Sequence, residues 1–281
     1  MTGSTGQLGT ALRRSLTRVG EVLSLDRGGL DLAQVDAIAP VTRRYAADVI
    51  VNAAAYTAVE RAEREPDLAH RINALAPAVL ADEARRSGAL FVHFSTDYVF
   101  DGAKRSPYHE EDQPAPLNVY GRTKLAGEEA VRQAGGRWIV LRTSWVYSNQ
   151  GRNFLLAILE KGRRQRSISV VADQTGAPTW ARTLADATAH IVSAAHAGKK
   201  PTGLFHLSAA GSTTWHKFAE AVLHTAGLST KVLPTTSDQY PGVSRPQYSV
   251  LSNERIAKVY GLRLADWRTD MEACLQTIFQ P

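Results

Sequence analysis

Four short apolar runs alternate with stretches of helical periodicity through the first 142 residues, and that rhythm constrains the fold most. The runs are Glu21–Leu25, Asp48–Asn52, Ala89–Ser95 and Trp138–Arg142. Around them, Gln7–Val19 places Leu8, Ala11, Leu12, Leu16 and Val19 on one helical stripe, and Leu32–Tyr45, Pro66–Arg86 and Val119–Gln133 repeat the pattern. Gly88 supplies a usual helix terminator. Strands separated by helices of this length give βαβ units, so the expected class is α/β with a doubly wound parallel sheet. Beyond residue 150 helices are expected near 153–162, 181–197, 215–226 and 266–279, separated by longer Gly/Pro/Ser/Thr-rich segments. The segment Ser229–Ser249 holds three prolines and no period, and reads as a loop. Residues 1–150 therefore read as a nucleotide-type domain. Residues 151–281 read as mainly a smaller α/β substrate lobe, with segments that can return to the first domain.

Composition removes several function classes. A hydrophobic fraction of 44% with 21% charged residues excludes a disordered chain. No apolar run approaches the roughly 18 residues of a membrane span, and the N-terminus shows no secretory signal. The one cysteine, Cys274, cannot form an internal disulfide, which fits a cytoplasmic protein. The net charge is uneven: −1 over residues 1–140 and +7 over 141–281. The basic residues are not interleaved with aromatics, so a small anionic ligand explains the excess better than nucleic acid.

The chemistry-bearing residues lie where this fold would place a site. Gly3, Gly6 and Gly9, with Gln7 and Leu8 between them, form G-x-x-G-x-x-G opening a helix. Such a turn lets a pyrophosphate approach the helix's N-terminal amides, as in Rossmann-type domains. Asp26 ends the next apolar run and can accept from an adenine-ribose hydroxyl; Arg27 beside it can pair with a 2′-phosphate, so NADH and NADPH both fit. Tyr120 and Lys124 stand at i and i+4 on one helix face. A cation beside a phenol favours its ionisation, which suits proton exchange. Ser95-Thr96-Asp97 places hydroxyls at the carboxyl edge of the sheet, where such sheets bind ligands, and Asn52-Ala53-Ala54-Ala55 lets a flat cofactor lie close.

These motifs, in this order, resemble the extended short-chain dehydrogenase/reductase family. Longer strings narrow the resemblance to its reductases of 4-keto sugar nucleotides: residues 51–59, 94–102, 117–128, 141–147 and 173–179, with Gly211–Trp215 and Ser244–Pro246 beyond them. The resemblance implies hydride transfer from NADPH or NADH to the C4 carbonyl of dTDP-4-dehydro-L-rhamnose, feeding dTDP-rhamnose and cell-surface polysaccharide synthesis. It implies Tyr120 as proton donor, Lys124 as the group that lowers its pKa and holds the nicotinamide ribose, and Thr96 as a hydrogen-bond donor to the carbonyl oxygen. It implies sugar contacts from Asp97 and Trp145, and cofactor contacts from Asp31, Leu32, Ala54, Ala55, Tyr56 and Thr57. In some relatives it also extends to Mg²⁺ at a subunit interface, which nothing in this sequence locates, and to homodimers. A non-catalytic NADP-binding regulatory subunit of the methionine adenosyltransferase type, or a nucleotide-sugar epimerase or dehydratase, stands as the alternative.

Arg245, before Pro246, is the candidate partner for a substrate diphosphate. The cluster Lys161–Arg166 reads as a solvated helix end, and Trp215 and Trp267 as core. The eight histidines show no ligand spacing, so no transition-metal site is expected. Only Met1 and Thr2 precede Gly3, where a Rossmann-type fold has an apolar strand of about five residues. The expectation is a gap at this point in the sheet, and a true start upstream.

Overall fold

The structure, a computed structural model, describes residues 1–198, 202–239 and 242–279. Its central sheet is parallel, in the order β1 (Val49–Asn52), β2 (Leu90–Thr96), β3 (Arg137–Thr143), then β5 (Gly203–His206); β4 (Ser167–Val171) lies elsewhere. Val51 stands beside Val92, Val92 beside Ile139, and Leu141 beside Phe205. Every residue of β2 is buried, as a strand covered on both faces requires. One face packs against α1 (Gln7–Leu16) and α6 (Ala181–His196) through Leu12, Leu184 and Ile191. The other packs against α2 (Val35–Tyr45), α3 (Ala76–Ser87) and α4 (Val119–Ala134) through Ile38, Leu80 and Val131. The chain beyond residue 150 thus returns α6 and β5 to the main sheet.

Elsewhere the later chain builds a separate core. Helices α5 (Phe154–Arg164), α7 (Trp215–Thr225) and α8 (Trp267–Phe279) enclose Leu155, Phe218, Trp267 and Met271. Beside them β4 pairs in parallel with β6 (Lys231–Thr235). That pairing corrects the loop expected over Ser229–Ser249; Pro241 of that segment lies outside the described residues. Strand β6 sits at the edge of a two-stranded sheet with Leu233 47% exposed, where a proline's missing N–H costs little. Among the described residues no helix is long and apolar enough to cross a membrane.

Two further elements differ from the expected ones. The helix expected over Pro66–Arg86 runs from Pro66 to Ser87, but Arg71–Leu75 forms a π turn. Pro77 lies just beyond and has no N–H to donate, so the regular ladder is interrupted there. The strand expected at Glu21–Leu25 is reduced to one bridge, between Leu25 and Thr2. Thr2 donates to the Val51 carbonyl at 3.0 Å and accepts from Ala53 N–H at 3.3 Å, and Leu25 N–H donates to the Met1 carbonyl at 2.8 Å. Met1–Gly3 thus serves as a short stub between β1 and Leu25. Beside it lies a cavity of about 460 Å³ lined by Met1, Leu16, Val22, Val49 and Val192.

Candidate functional site

The carboxyl ends of β1, β2 and β3 open into a cleft of about 540 Å³ that also receives the N-terminus of α1. Gly6 caps α1 with no side-chain bond, so the first-turn amides remain free for an anion. The glycines permit close approach. A Cβ on Gly9 would fall 1.9 Å from the Gly3 carbonyl oxygen, and one on Gly3, at φ +71°, would fall 2.5 Å from Ala54 N. Gly3, Gly6, Gln7 and Leu8 line the cleft; Gly9 does not, and acts through that packing.

Asp26, Arg27, Asp31 and Leu32 line the same end. Asp26 is exposed and accepts from Gly29 N–H at 2.9 Å, which leaves its second oxygen towards solvent; Arg27 pairs with Asp31 at 3.2 Å. Ala54, Ala55, Tyr56 and Thr57 form the wall after β1. That wall is fixed by Asn73, whose carboxamide accepts from Tyr56 N–H at 2.8 Å and donates to the Tyr56 carbonyl at 3.0 Å. The π turn thus aims Asn73 at the cleft wall, a role the sequence did not reveal. A free helix N-terminus, crowded glycines and an acidic residue at the distal end together fit a dinucleotide.

The reacting groups converge at the other end. Asn118 starts α4 by accepting from Gly121 N–H at 2.8 Å, and that helix carries Tyr120 and Lys124 towards the sheet. Desolvation holds the Tyr120 phenol up at about 12, and the nearby Thr96 hydroxyl opposes that shift without offsetting it. Lys124 is 2% exposed and donates to the Phe94 carbonyl at 2.6 Å, with His93 Nε2 3.2 Å away. Burial pulls its ammonium down to about 8, although Glu128 opposes the shift. Burial dominates the Tyr120 phenol, and the Lys124 ammonium bonds to the Phe94 carbonyl of β2. Asp97 is buried, with burial raising its carboxyl to about 7. Its Oδ1 accepts from Thr96 at 3.1 Å and Ser249 also faces the carboxyl, whereas among the described residues Oδ2 and Thr143 Oγ1 have no partner. Both line the cleft, leaving two polar atoms for a ligand to satisfy.

Trp145 lines the cleft as well, at φ +48°, a region where a bulky residue is strained by about 1–3 kcal/mol. Its ring stacks on Trp215 with centroids 3.5 Å apart. Trp267 is core as expected, whereas Trp215 is half-buried and lines a second cavity of about 920 Å³. Arg245 and Lys161 line that cavity too. The Arg245 guanidinium is paired with Glu60, and Lys161 belongs to the helix end read as merely solvated. Among the described residues no cluster of three His, Cys, Asp or Glu side chains is arranged for a metal.

The sequence matches the family described as "RmlD substrate binding domain" over residues 1–279. The chain belongs to the RmlD substrate-binding-domain family. A dTDP-4-dehydrorhamnose reductase of Burkholderia thailandensis is 43% identical over 291 residues, covering 99% of this chain and 98% of that protein. The structure of a dTDP-4-dehydrorhamnose reductase from Clostridium acetobutylicum superimposes with a TM-score of 0.94 at 33% identity, covering 99% of this chain and 98% of that one. One from Bacillus anthracis in complex with NADP gives 0.91 at 32% identity, with 98% and 97% covered. The RmlD match therefore spans the cleft, the second cavity and both cores.

Proposed function

We propose that this protein reduces dTDP-4-dehydro-β-L-rhamnose to dTDP-L-rhamnose with NADPH or NADH, in the synthesis of dTDP-rhamnose for cell-surface polysaccharide. The observation that carries this reading is the meeting of Thr96, Tyr120 and Lys124 in the cleft that the free N-terminus of α1 enters. Relatives sharing about 40% identity over nearly the whole chain carry the same named activity. The non-catalytic alternative gains nothing from a site that keeps all three groups, and the single buried thiol supports a cytoplasmic location.

Gly3, Gly6, Gln7 and Leu8 would hold the cofactor's pyrophosphate, Asp26, Arg27, Asp31 and Leu32 its adenosine, and Ala54, Ala55, Tyr56 and Thr57 its flank. Bound there, the cofactor supplies the hydride. Thr96 donates to the carbonyl oxygen of the sugar and so stabilises the charge that develops on it. Tyr120, a neutral phenol at working pH, donates its proton to the alkoxide. Lys124 places a positive charge under this pair and holds the nicotinamide ribose. Asp97 and Trp145 bound the sugar. Arg245, once released from Glu60, is a partner for the diphosphate, and the net charge of +7 beyond residue 140 attracts that anion.

The direct test is the fall of NADPH absorbance on adding the 4-keto sugar nucleotide. A silent protein that still binds NADPH would overturn the reading in favour of the regulatory one. Two outcomes follow from the site itself. Lys124 must be charged to act, and its pKa lies near 8, so kcat/KM should fall as pH rises through about 8. The phenol, near 12, stays protonated throughout this range, whereas the Asp97 carboxyl, near 7, also loses its proton in it; a limb that persists in Asp97→Asn belongs to the lysine. A pH profile flat to 10 would remove Lys124 from that role. Gly9→Ala forces the added methyl against the Gly3 carbonyl and must move the turn. The NADPH Kd from fluorescence titration should rise by at least about tenfold, or about 1.4 kcal/mol.

A further inference from the structure

We propose that Trp215 and Gly176 are positioning residues for Trp145, clamping its indole from both faces and thereby setting affinity for the sugar of the substrate. The inference rests on the reading of Trp145 as a wall of the sugar site.

The clamp is visible in three observations. The Trp145 and Trp215 rings lie face to face, 3.5 Å between centroids and 6° between planes. Free aromatic pairs favour offset or edge-to-face arrangements with centroids farther apart, so the scaffold imposes this overlap. On its other face Trp145 meets Gly176: a Cβ there would fall 2.4 Å from the indole Cε2 and 2.7 Å from Nε1. The backbone of Trp145 sits at φ +48°, which its neighbours must hold in place.

One piece of backbone sets the width of the clamp. Thr175–Gly176 pairs antiparallel with Thr213–Thr214, with Gly176 opposite Thr213. Thr214 then caps α7, accepting from Lys217 N–H at 3.1 Å, and Trp215 is the first residue of that helix. The flanks of Trp145 are pinned separately: Ser144 Oγ donates to the Ala177 carbonyl at 2.8 Å, and Thr179 N–H donates to the Trp145 carbonyl at 3.3 Å. Trp145 lines the cleft that holds Thr96 and Tyr120, whereas Trp215 lines the adjoining cavity with Arg245. The stacked pair therefore forms the wall between the place of hydride transfer and the cavity facing the diphosphate candidate. A change at Trp215 should reach the sugar and leave the cofactor alone.

The test compares Trp215→Ala, Trp215→Phe and Gly176→Ala with the wild type. Trp215→Ala should raise KM for the 4-keto sugar nucleotide about tenfold, with the KM for NADPH and kcat within about threefold. It should also abolish the exciton couplet in circular dichroism, since no other tryptophan pair stacks among the described residues. Trp215→Phe keeps a ring on Trp145 and should return the sugar KM to within about threefold of wild type without the couplet. Gly176→Ala pushes the indole from the opposite face, and should raise the sugar KM with Trp215 intact even where Trp215→Ala does not fold. An active wild type whose sugar KM is unmoved by both Trp215→Ala and Gly176→Ala would overturn the clamp alone. A wild type that does not reduce the sugar nucleotide would overturn the underlying reading, and the clamp's role with it.

Discussion

Replacing Tyr120 by Phe is expected to lower kcat by about 10²–10⁴-fold while the NADPH Kd stays unchanged. The substitution removes one oxygen and keeps the ring, which packs edge-on against Tyr98 with centroids 5.7 Å apart. Fold and cofactor cleft should therefore survive. What disappears is the proton source for the alkoxide. Desolvation holds this phenol near 12, so at neutral pH it is fully protonated, the state that a reduction requires. Its conjugate base would be costly in the same surroundings, unless Lys124 supplies the compensating charge once the site is filled. Thr96 remains in the variant and polarises the carbonyl once its hydroxyl turns from Asp97, 3.1 Å away, to the substrate oxygen, so activity should fall steeply but not to zero. Single-turnover hydride transfer measures the chemical step directly. A loss below fivefold in that step would remove Tyr120 from the proton transfer.

The same residues show how far the sequence could be read. Tyr120 and Lys124 stand at i and i+4, and the hydroxyls of Ser95 and Thr96 end an apolar run, so local periodicity alone brought them to one sheet edge. Lys124's actual partners could not be read that way. His93 and the Phe94 carbonyl lie about thirty residues away on β2, and only the packing of α4 on the sheet joins them. Trp215 falls on an apolar helical stripe and reads as core; its stack on Trp145 depends on the ladder between Thr175–Gly176 and Thr213–Thr214. Strand β6 was hidden by Pro234 and by an exposed pattern that no alternation marks. Glu21–Leu25 has a strand's composition, yet a strand needs a neighbour, and only the stub at Thr2 is beside it. These segments share one cause: their state is decided by the backbone that lies beside them in space, unlike the π turn at Arg71–Leu75, which Pro77 sets locally.

Glu128, one turn beyond Lys124, carries the largest expected effect on stability: Glu128→Ala should destabilise the fold by about 3–5 kcal/mol. Its carboxylate is 7% exposed and takes a bidentate pair from Arg142 of β3, at 2.9 Å from Nε and 2.6 Å from Nη2; Ser95 of β2 donates to it as well. The pair therefore ties α4 to two central strands immediately beneath the reacting groups. Arg142 is 3% exposed, lies 5.0 Å from the Phe100 ring centre, and faces a His206 whose pKa burial has lowered to about 3. Among the described residues no other carboxylate lies at bonding distance from Arg142. Removing Glu128 leaves a buried guanidinium uncompensated, which costs far more than the intact pair contributes. For a chain of this size the loss should appear as a fall in Tm of about 10 °C. The double variant Glu128→Met/Arg142→Met separates the two effects, because it removes both charges and fills the space with apolar atoms. It should regain most of the lost stability, as replaced buried pairs do. Equal destabilisation in the single and double variants would mean that packing, not the unpaired charge, sets the cost. A single variant within 1 kcal/mol of wild type would mean that Arg142 finds water or another partner when Glu128 is gone.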